Sequence, residues 1–360
     1  LAMMEGFIPK ELPPNFTPDT RIYTLLVRAC RELGELNGVA KIIPNQNILI
    51  NSLVLQEAKE SSAIENIITT HDELFLAQIE HSQITKNAKE VQNYEKALKT
   101  GFNLIKQEKL LRNKHLLEIH KQLEGNDAGF RVQKGTMLKN PATGQIKHIP
   151  PQNKEDILRL MGNLERYINE EMDSLDPLIR LAIIHYQFET IHPFYDGNGR
   201  CGRILNVLYL TYKGLLNLPI LYLSAYIIKH KNRYYQLLAQ VSQSGDFSNW
   251  VAYMLEGIIQ SARATIQRVE KIKQGMQVYQ QILQKRAPKI YSKDLVEILF
   301  SYPYTKIEFL ENRLKIHRQT ASSYLKECEN LKILRSVKMG RDKYFINKTL
   351  FRILSQELIC

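Results

Sequence analysis

Cysteine is scarce in this 360-residue chain: Cys30, Cys201, Cys328 and Cys360 lie far apart and form no CxxC pair. That spacing excludes a dense disulfide framework and a cysteine-built zinc finger, and it suits a reducing cytoplasm. No apolar run reaches the roughly 18 to 20 residues of a bilayer span. The stretch from Leu1 to Lys10 lacks the basic start and apolar core of a secretory signal. A cytoplasmic protein with no membrane partner is therefore expected. GxxxxGK[ST] is missing, which excludes a P-loop nucleotide site. No internal repeat or low-complexity tract is visible. Acidic residues are absent between Asp196 and Asp246, whereas Arg200, Arg203, Lys213, Lys229, Lys231 and Arg233 all fall there. Such one-sided charge suits a polyanion.

What is present is ordinary for a globular protein: 44% apolar and 24% charged residues, with 49 Lys+Arg against 37 Asp+Glu giving 49 − 37 = +12. The length predicts two or three domains. Apolar periodicity predicts helices over Arg21–Leu36 (stopping at Asn37-Gly38), Asn51–Ile68, Thr70–Ala88, Glu90–Ile105, Asn113–Leu123 and Asp156–Glu171. Asp176-Pro177 opens another, with Asp as N-cap and Pro at the first helical position. Further helices are expected from Gly199 to Gly214, Lys231 to Gln243 and Ser248 to Lys285. Between Gly125 and Gln152, the segments Thr136-Met137-Leu138 and Gln145-Ile146-Lys147 flank a turn at 140–144 and read as an exposed hairpin flap.

Residues 285–360 hold 16 Lys+Arg and 8 Asp+Glu, +8 in 76 residues. Helices at Ser292–Ser301, Thr305–Leu314 and His317–Asn330 precede two alternating segments, Ile333–Val337 and Lys343–Ile346. Three helices and a hairpin predict a winged helix-turn-helix domain over 286–360. Arg318, Gln319, Ser322 and Lys326 on its second-motif helix and Arg341 at the wing are candidate DNA contacts. A protein-docking role is the competing reading.

The chemistry concentrates in His192-Pro193-Phe194-Tyr195-Asp196-Gly197-Asn198-Gly199-Arg200-Cys201-Gly202-Arg203. Gly197 and Gly199 let consecutive N–H groups turn inward into a nest that runs into a helix N-terminus, which favours anions. Arg200 and Arg203, three apart, share a face and can clamp phosphate oxygens. Asp196 would repel a bare phosphate but not one carrying Mg²⁺. The implied ligand is a Mg-nucleotide. Gly197 to Gly202 also matches GxGxxG, but a helix precedes it and the acid about 20 residues on is missing, which argues against a dinucleotide fold. His185, His192 and Asp196 match no standard metal spacing, and His185 reads as a packed core residue.

These twelve residues resemble the Fic family signature HPFx(D/E)GNGRxxR at every defined position, and residues 10–285 support the likeness. The resemblance implies an all-α Fic core over 111–285 with a small β-hairpin flap, after an N-terminal helical region over 1–110. It implies adenylyl transfer, in which AMP moves from ATP to a Ser, Thr or Tyr hydroxyl of a target protein and pyrophosphate leaves. His192 would be the general base and Asp196 the Mg²⁺ ligand. Gly197, Asn198, Gly199 and Gly202 would line the phosphate site, Arg200 would neutralise the β-phosphate and Arg203 would position the γ-phosphate. Phe194 would anchor the loop. Thr136, Met137 and Leu138 resemble the target-docking flap, and Tyr234, Tyr235 and Leu238 the helix that closes over the adenine.

Ser61-Ser62-Ala63-Ile64-Glu65-Asn66 resembles the family's inhibitory motif (S/T)xxxE(G/N). There the glutamate matched by Glu65 pairs with the arginine matched by Arg203 and blocks the γ-phosphate, so Ser61 and Glu65 would form a brake. Self-modification and a homodimer are family-level expectations. Two rivals stand beside this reading: a DNA-binding or toxin–antitoxin-type regulator whose Fic core senses nucleotide, and transfer of another group such as UMP or phosphocholine.

Overall fold

The computed structural model describes residues 6–79, 84–139, 144–339 and 342–356 and is mostly helical. Helix α1 (Thr20–Ala40) starts at Asp19, whose carboxylate accepts the Ile22 N–H, and runs past the expected stop. Asn37 is drawn into tertiary bonds instead: its Nδ2 donates to Leu215 O (2.8 Å) and its Oδ1 accepts the Asn217 N–H (2.9 Å). Helix α2 (Asn47–Ile64) begins and ends earlier than the periodicity predicts. Asn66, at φ 63°, takes the left-handed turn, and the Ile67 N–H bonds back to Ser62 O (3.1 Å). Glu65 is thus the C-cap of α2 rather than a residue within it.

The single helix expected over Thr70–Ala88 is two. Thr70 and Glu73 form a capping box at the start of α3 (His71–Ala77), and Thr85 caps α4 (Lys86–Glu108). Next come α5 (Asn113–Glu124) and a two-stranded hairpin, β1 (Leu138–Lys139) and β2 (Ile146–His148), with Leu138 opposite His148. Of the expected strand residues Thr136 and Met137 precede β1. Residues 140–143, the predicted turn, lie outside the described residues.

Helix α6 (Lys154–Asn169) leads to α7 (Pro177–Ile191) and α8 (Asn198–Tyr212), the central pair. Asp176 caps α7 as expected, accepting the Leu178 N–H at 2.8 Å. Both helices are buried around nearly their whole circumference. This is the state of a helix whose apolar residues do not form a single stripe. After α9 (Ser224–Lys229) and α10 (Lys231–Ser244), α11 (Ser248–Arg286) extends for 39 residues. At 1.5 Å per residue it is roughly 58 Å long. Trp250 near its start donates to Ala182 O (2.7 Å), fixing it to α7, and α1 packs along it.

The C-terminal unit comprises α12 (Lys293–Ser301), β3 (Tyr304–Thr305), α13 (Ile307–Leu314), α14 (Arg318–Asn330), β4 (Leu334–Met339), β5 (Asp342–Asn347) and α15 (Lys348–Ser355). Its antiparallel sheet has the order β3-β5-β4. Tyr279 on α11 donates its hydroxyl toward Ile333 O and Asn347 Oδ1, and Tyr304 bonds Asp72 on α3 (2.7 Å). No helix among the described residues is long and apolar enough to cross a membrane.

Candidate active site

The loop between α7 and α8 carries the histidine, and its shape is set by side chains that never reach the solvent. His192 closes α7 in the left-handed region (φ 51°), its N–H bonded to Phe188 O at 3.0 Å. That conformation is costly for a residue with a Cβ and must be held from outside. Arg131 holds it. The buried guanidinium donates from Nε to His192 O (2.7 Å) and from Nη2 to Pro151 O and Ile191 O, while its backbone N–H bonds Pro193 O (2.8 Å). Phe194 is fully buried, stacked on His120 with ring centroids 3.8 Å apart.

Asn198 braces the turn from the other side. Its Oδ1 accepts the Phe194 N–H and its Nδ2 donates to Phe194 O, both at 2.8 Å. The side chain expected to cradle phosphate is thereby engaged with the loop. Gly197 sits at φ 73°, open only to glycine without strain. A Cβ on Gly197, Gly199 or Gly202 would collide with a carboxylate oxygen of Glu124, Glu65 or Glu189 respectively. Each motif glycine therefore faces an acid.

The two arginines are both buried and both already paired. Arg203 donates from Nε to Ser61 Oγ (2.7 Å) and from Nη2 to Ser61 O (3.0 Å) and Glu65 Oε1 (2.8 Å). Burial opposes the charge of Glu65, but Arg203, then Arg200 and Lys231, outweigh it and hold the carboxyl below its ordinary range. Lys231 also donates to Ile64 O (2.5 Å), pinning the end of α2. Arg200 lies between Glu90 (2.8 Å) and Glu124 (2.9 Å). Two carboxylates thus hold the guanidinium expected to neutralise a β-phosphate.

His192 is pushed down to about 4, chiefly by burial and then by the Arg131 charge, so its ring is neutral at pH 7. A neutral imidazole can accept a proton. Its Nδ1 is buried without a hydrogen-bond partner among the described residues. Asp196 is exposed, with Oδ1 accepting the Gly197 N–H at 2.7 Å. No cluster of three metal-ligating side chains occurs among the described residues. A lone carboxylate beside an anion nest fits a Mg²⁺ ion that arrives with phosphate oxygens, not one caged by protein alone.

The remaining predicted residues divide. Tyr234 is buried in the core, its hydroxyl 2.8 Å from His185 Nε2 and its ring against Trp250. It is not placed to stack on a base, and His185 is the packed core residue expected. Tyr235 and Leu238 are half-buried, and Lys147 of the flap stands over the Tyr235 ring at 5.2 Å. Met137 is exposed, and the flap base is tied by Gln152, which accepts the Gly135 N–H and donates to Thr136 O. Arg318, Gln319 and Lys326 are exposed on α14, Ser322 is half-buried, and Arg341 lies outside the described residues. Sequence reasoning missed Glu90, Glu124 and Glu189 as site residues, and it did not give Arg131 the role of holding the histidine. For Glu189 a signal existed, a carboxylate in the largely apolar run of α7.

A glycine-rich turn at a helix N-terminus, a half-buried neutral histidine and two buried arginines thus come together at the junction of α7 and α8. The chain belongs to the Fic/DOC family. Three family descriptions match in succession: Fic/DOC family N-terminal over residues 23–103, Fic/DOC family over 110–210, and Protein adenylyltransferase SoFic-like, C-terminal domain over 276–350. Protein adenylyltransferase Fic of Culex quinquefasciatus is 31% identical over 154 residues, 42% of this chain and 29% of that protein. Its namesake in Drosophila yakuba is 32% identical over 146 residues, 40% and 27%. The match thus spans under a third of these relatives' length. A Fic family protein from Desulfovibrio desulfuricans G20 shares the fold over 94% of this chain and 98% of its own at 21% identity, with a TM-score of 0.60. Fic-1 from C. elegans does so over 70% and 74% at 20% identity, with a TM-score of 0.52.

Proposed function

We propose that this protein is a Mg-ATP-dependent protein adenylyltransferase that carries its own brake. The observation that carries the reading is the placement of neutral His192 at one end of the Gly197–Gly199 nest with buried Arg203 at the other. A target hydroxyl oxygen attacks the α-phosphorus, the bond from that phosphorus to the bridging oxygen breaks, and pyrophosphate leaves. His192 takes the hydroxyl proton as the new P–O bond forms. Backbone N–H groups of the nest and the Arg203 guanidinium stabilise charge on the phosphates, so most of the catalysis is positioning and electrostatics. Mg²⁺ held by Asp196 would neutralise phosphate oxygens. The names of the relatives support the transfer of AMP.

Glu65 occupies the Arg203 guanidinium that a γ-phosphate would need, and the two uses exclude one another. Incubation with α-labelled ATP tests the reading: label in protein from the Glu65→Gly variant and none from Glu65→Gly/His192→Ala supports it. Equal label from both contradicts it.

A second reading concerns the C-terminal unit, which we take for a winged helix that binds DNA. It is favoured by a groove of about 460 Å³ lined by Ile307, Arg318, Gln319, Ser322, Ser323 and Lys326. Gel retardation over a salt series should show steep salt dependence that flattens in Arg318→Ala/Lys326→Ala. Retention unchanged in that variant would contradict it. Free Cys30, Cys201 and Cys328 accord with action in a reducing cytoplasm.

A further inference from the structure

Glu189 lies on the last turn of α7, three residues before His192, and neither the transfer step nor the brake as described uses it. Its Oε1 is buried and finds no hydrogen-bond donor among the described residues. That oxygen rests against Gly202, the neighbour of Arg203, where a Cβ would collide with it. Glu189 as a whole is half-buried, but an oxygen enclosed without a donor is costly, so its retention beside a functional arginine calls for a reason.

The neighbourhood supplies one. Arg203 is surrounded by acids in unequal states. Glu65 bonds it directly, whereas Glu57 is spent elsewhere, accepting from the Tyr94 hydroxyl and from the Ser224 N–H and hydroxyl. Glu189 is close enough to raise the proton affinity of Arg203 but has no bond to it. When Glu65 leaves Arg203, a buried guanidinium would be stranded without a bonded counter-charge, a strongly unfavourable state. We propose that Glu189 is the standby counter-ion of Arg203, a positioning residue that takes the guanidinium when Glu65 releases it and holds it beside the nest until phosphate arrives.

This inference rests on the brake reading and adds a proton to it. Burial pushes Glu189 up to about 7, with Arg203 lowering it and Glu65 raising it. The titratable groups it faces are Arg203 and Cys201 on α8, Glu65 at the end of α2, and Tyr234 and Tyr235 on α10. Removing Glu65 removes a repelling charge and frees the Arg203 Nη2 that Glu65 had held, and both changes favour the ionised form of Glu189. Brake opening is thus accompanied by proton loss from Glu189: low pH favours the clamped state, and rising pH through neutrality favours release.

The test is a carbon-13 NMR titration of the Glu189 carboxyl, assigned by difference with Glu189→Gln, in wild type, Glu65→Gly and Glu65→Gln from about pH 5 to about pH 9. The expected result is a midpoint near 7 in wild type and a fall of at least about one unit, a tenfold change in proton affinity, in both variants. Glu65→Gln keeps the side-chain volume and so covers the case in which the glycine variant folds poorly. A midpoint unchanged in Glu65→Gln overturns the proposal. AMP labelling of the same samples separates the two ideas. Equal labelling of wild type and Glu65→Gly refutes the brake, whereas raised labelling with an unmoved midpoint refutes only the role of Glu189.

Discussion

Glu65→Gly should raise AMP transfer, and the size of the rise can be worked from the ion pair it removes. Glu65 Oε1 meets Arg203 Nη2 at 2.8 Å, with the arginine 2% and the glutamate 36% exposed. A hydrogen bond to a charged group contributes about 1.5–3 kcal/mol. Water reaches Glu65, so the lower part of that range applies, about 1.5–2 kcal/mol. At 1.4 kcal/mol per tenfold change, loss of the clamp should raise the initial rate roughly 10–30-fold. The assay is incorporation of label from α-labelled ATP at saturating Mg²⁺, with thermal unfolding run in parallel to confirm that the variant is folded. Glu65→Gln, which keeps the length but not the charge, should fall between. A Glu65→Gly rate within twofold of wild type would refute the reasoning, because the clamp would then hold nothing that transfer requires.

Three further outcomes are expected. Ser61→Ala removes the acceptor for Arg203 Nε, leaves a buried donor unpaired in the clamped state, and should raise basal transfer several-fold, short of Glu65→Gly. Asn198→Ala removes both bonds that brace Phe194, so in the Glu65→Gly background it should lower the melting temperature and cut kcat at least tenfold; a normal kcat would show that the loop needs no brace. His192, protonated only as pH falls through about 4, stays a competent base above that, so Glu65→Gly should lose no rate to histidine protonation between about pH 8 and about pH 6. A rate halved near pH 6.5 would mean that the ring is not held in this buried setting.

The parts of the molecule legible in advance are those where local chemistry decides the outcome. Asp176-Pro177 set the start of α7, and the Gly197–Gly199 turn into α8 follows from glycine at φ 73° and a helix N-terminus. Where long-range contacts decide, local reading failed. Asn37 reads as a stop, but its side chain is absorbed by Leu215 and Asn217 and α1 continues. The short elements β3, α9 and α15 were not anticipated. Within the site, the motif indicated which residues gather but not which atoms face which. Asn198 turned its amide back to Phe194 within its own loop, whereas Arg200 went to Glu90 and Glu124 and Tyr234 to His185, partners supplied by distant segments. Arg131 lies 61 residues from the histidine whose carbonyl it holds, a separation that no local pattern bridges.

Intact-mass spectrometry of wild type, Glu65→Gly and Glu65→Gly/His192→Ala after incubation with Mg-ATP and a cell lysate, combined with α-label detection of lysate proteins, tests the central claim most directly. The account predicts AMP on protein, self or target, from Glu65→Gly, little from wild type, and none from the double variant. Label carried equally by the double variant, or none from Glu65→Gly, would contradict it.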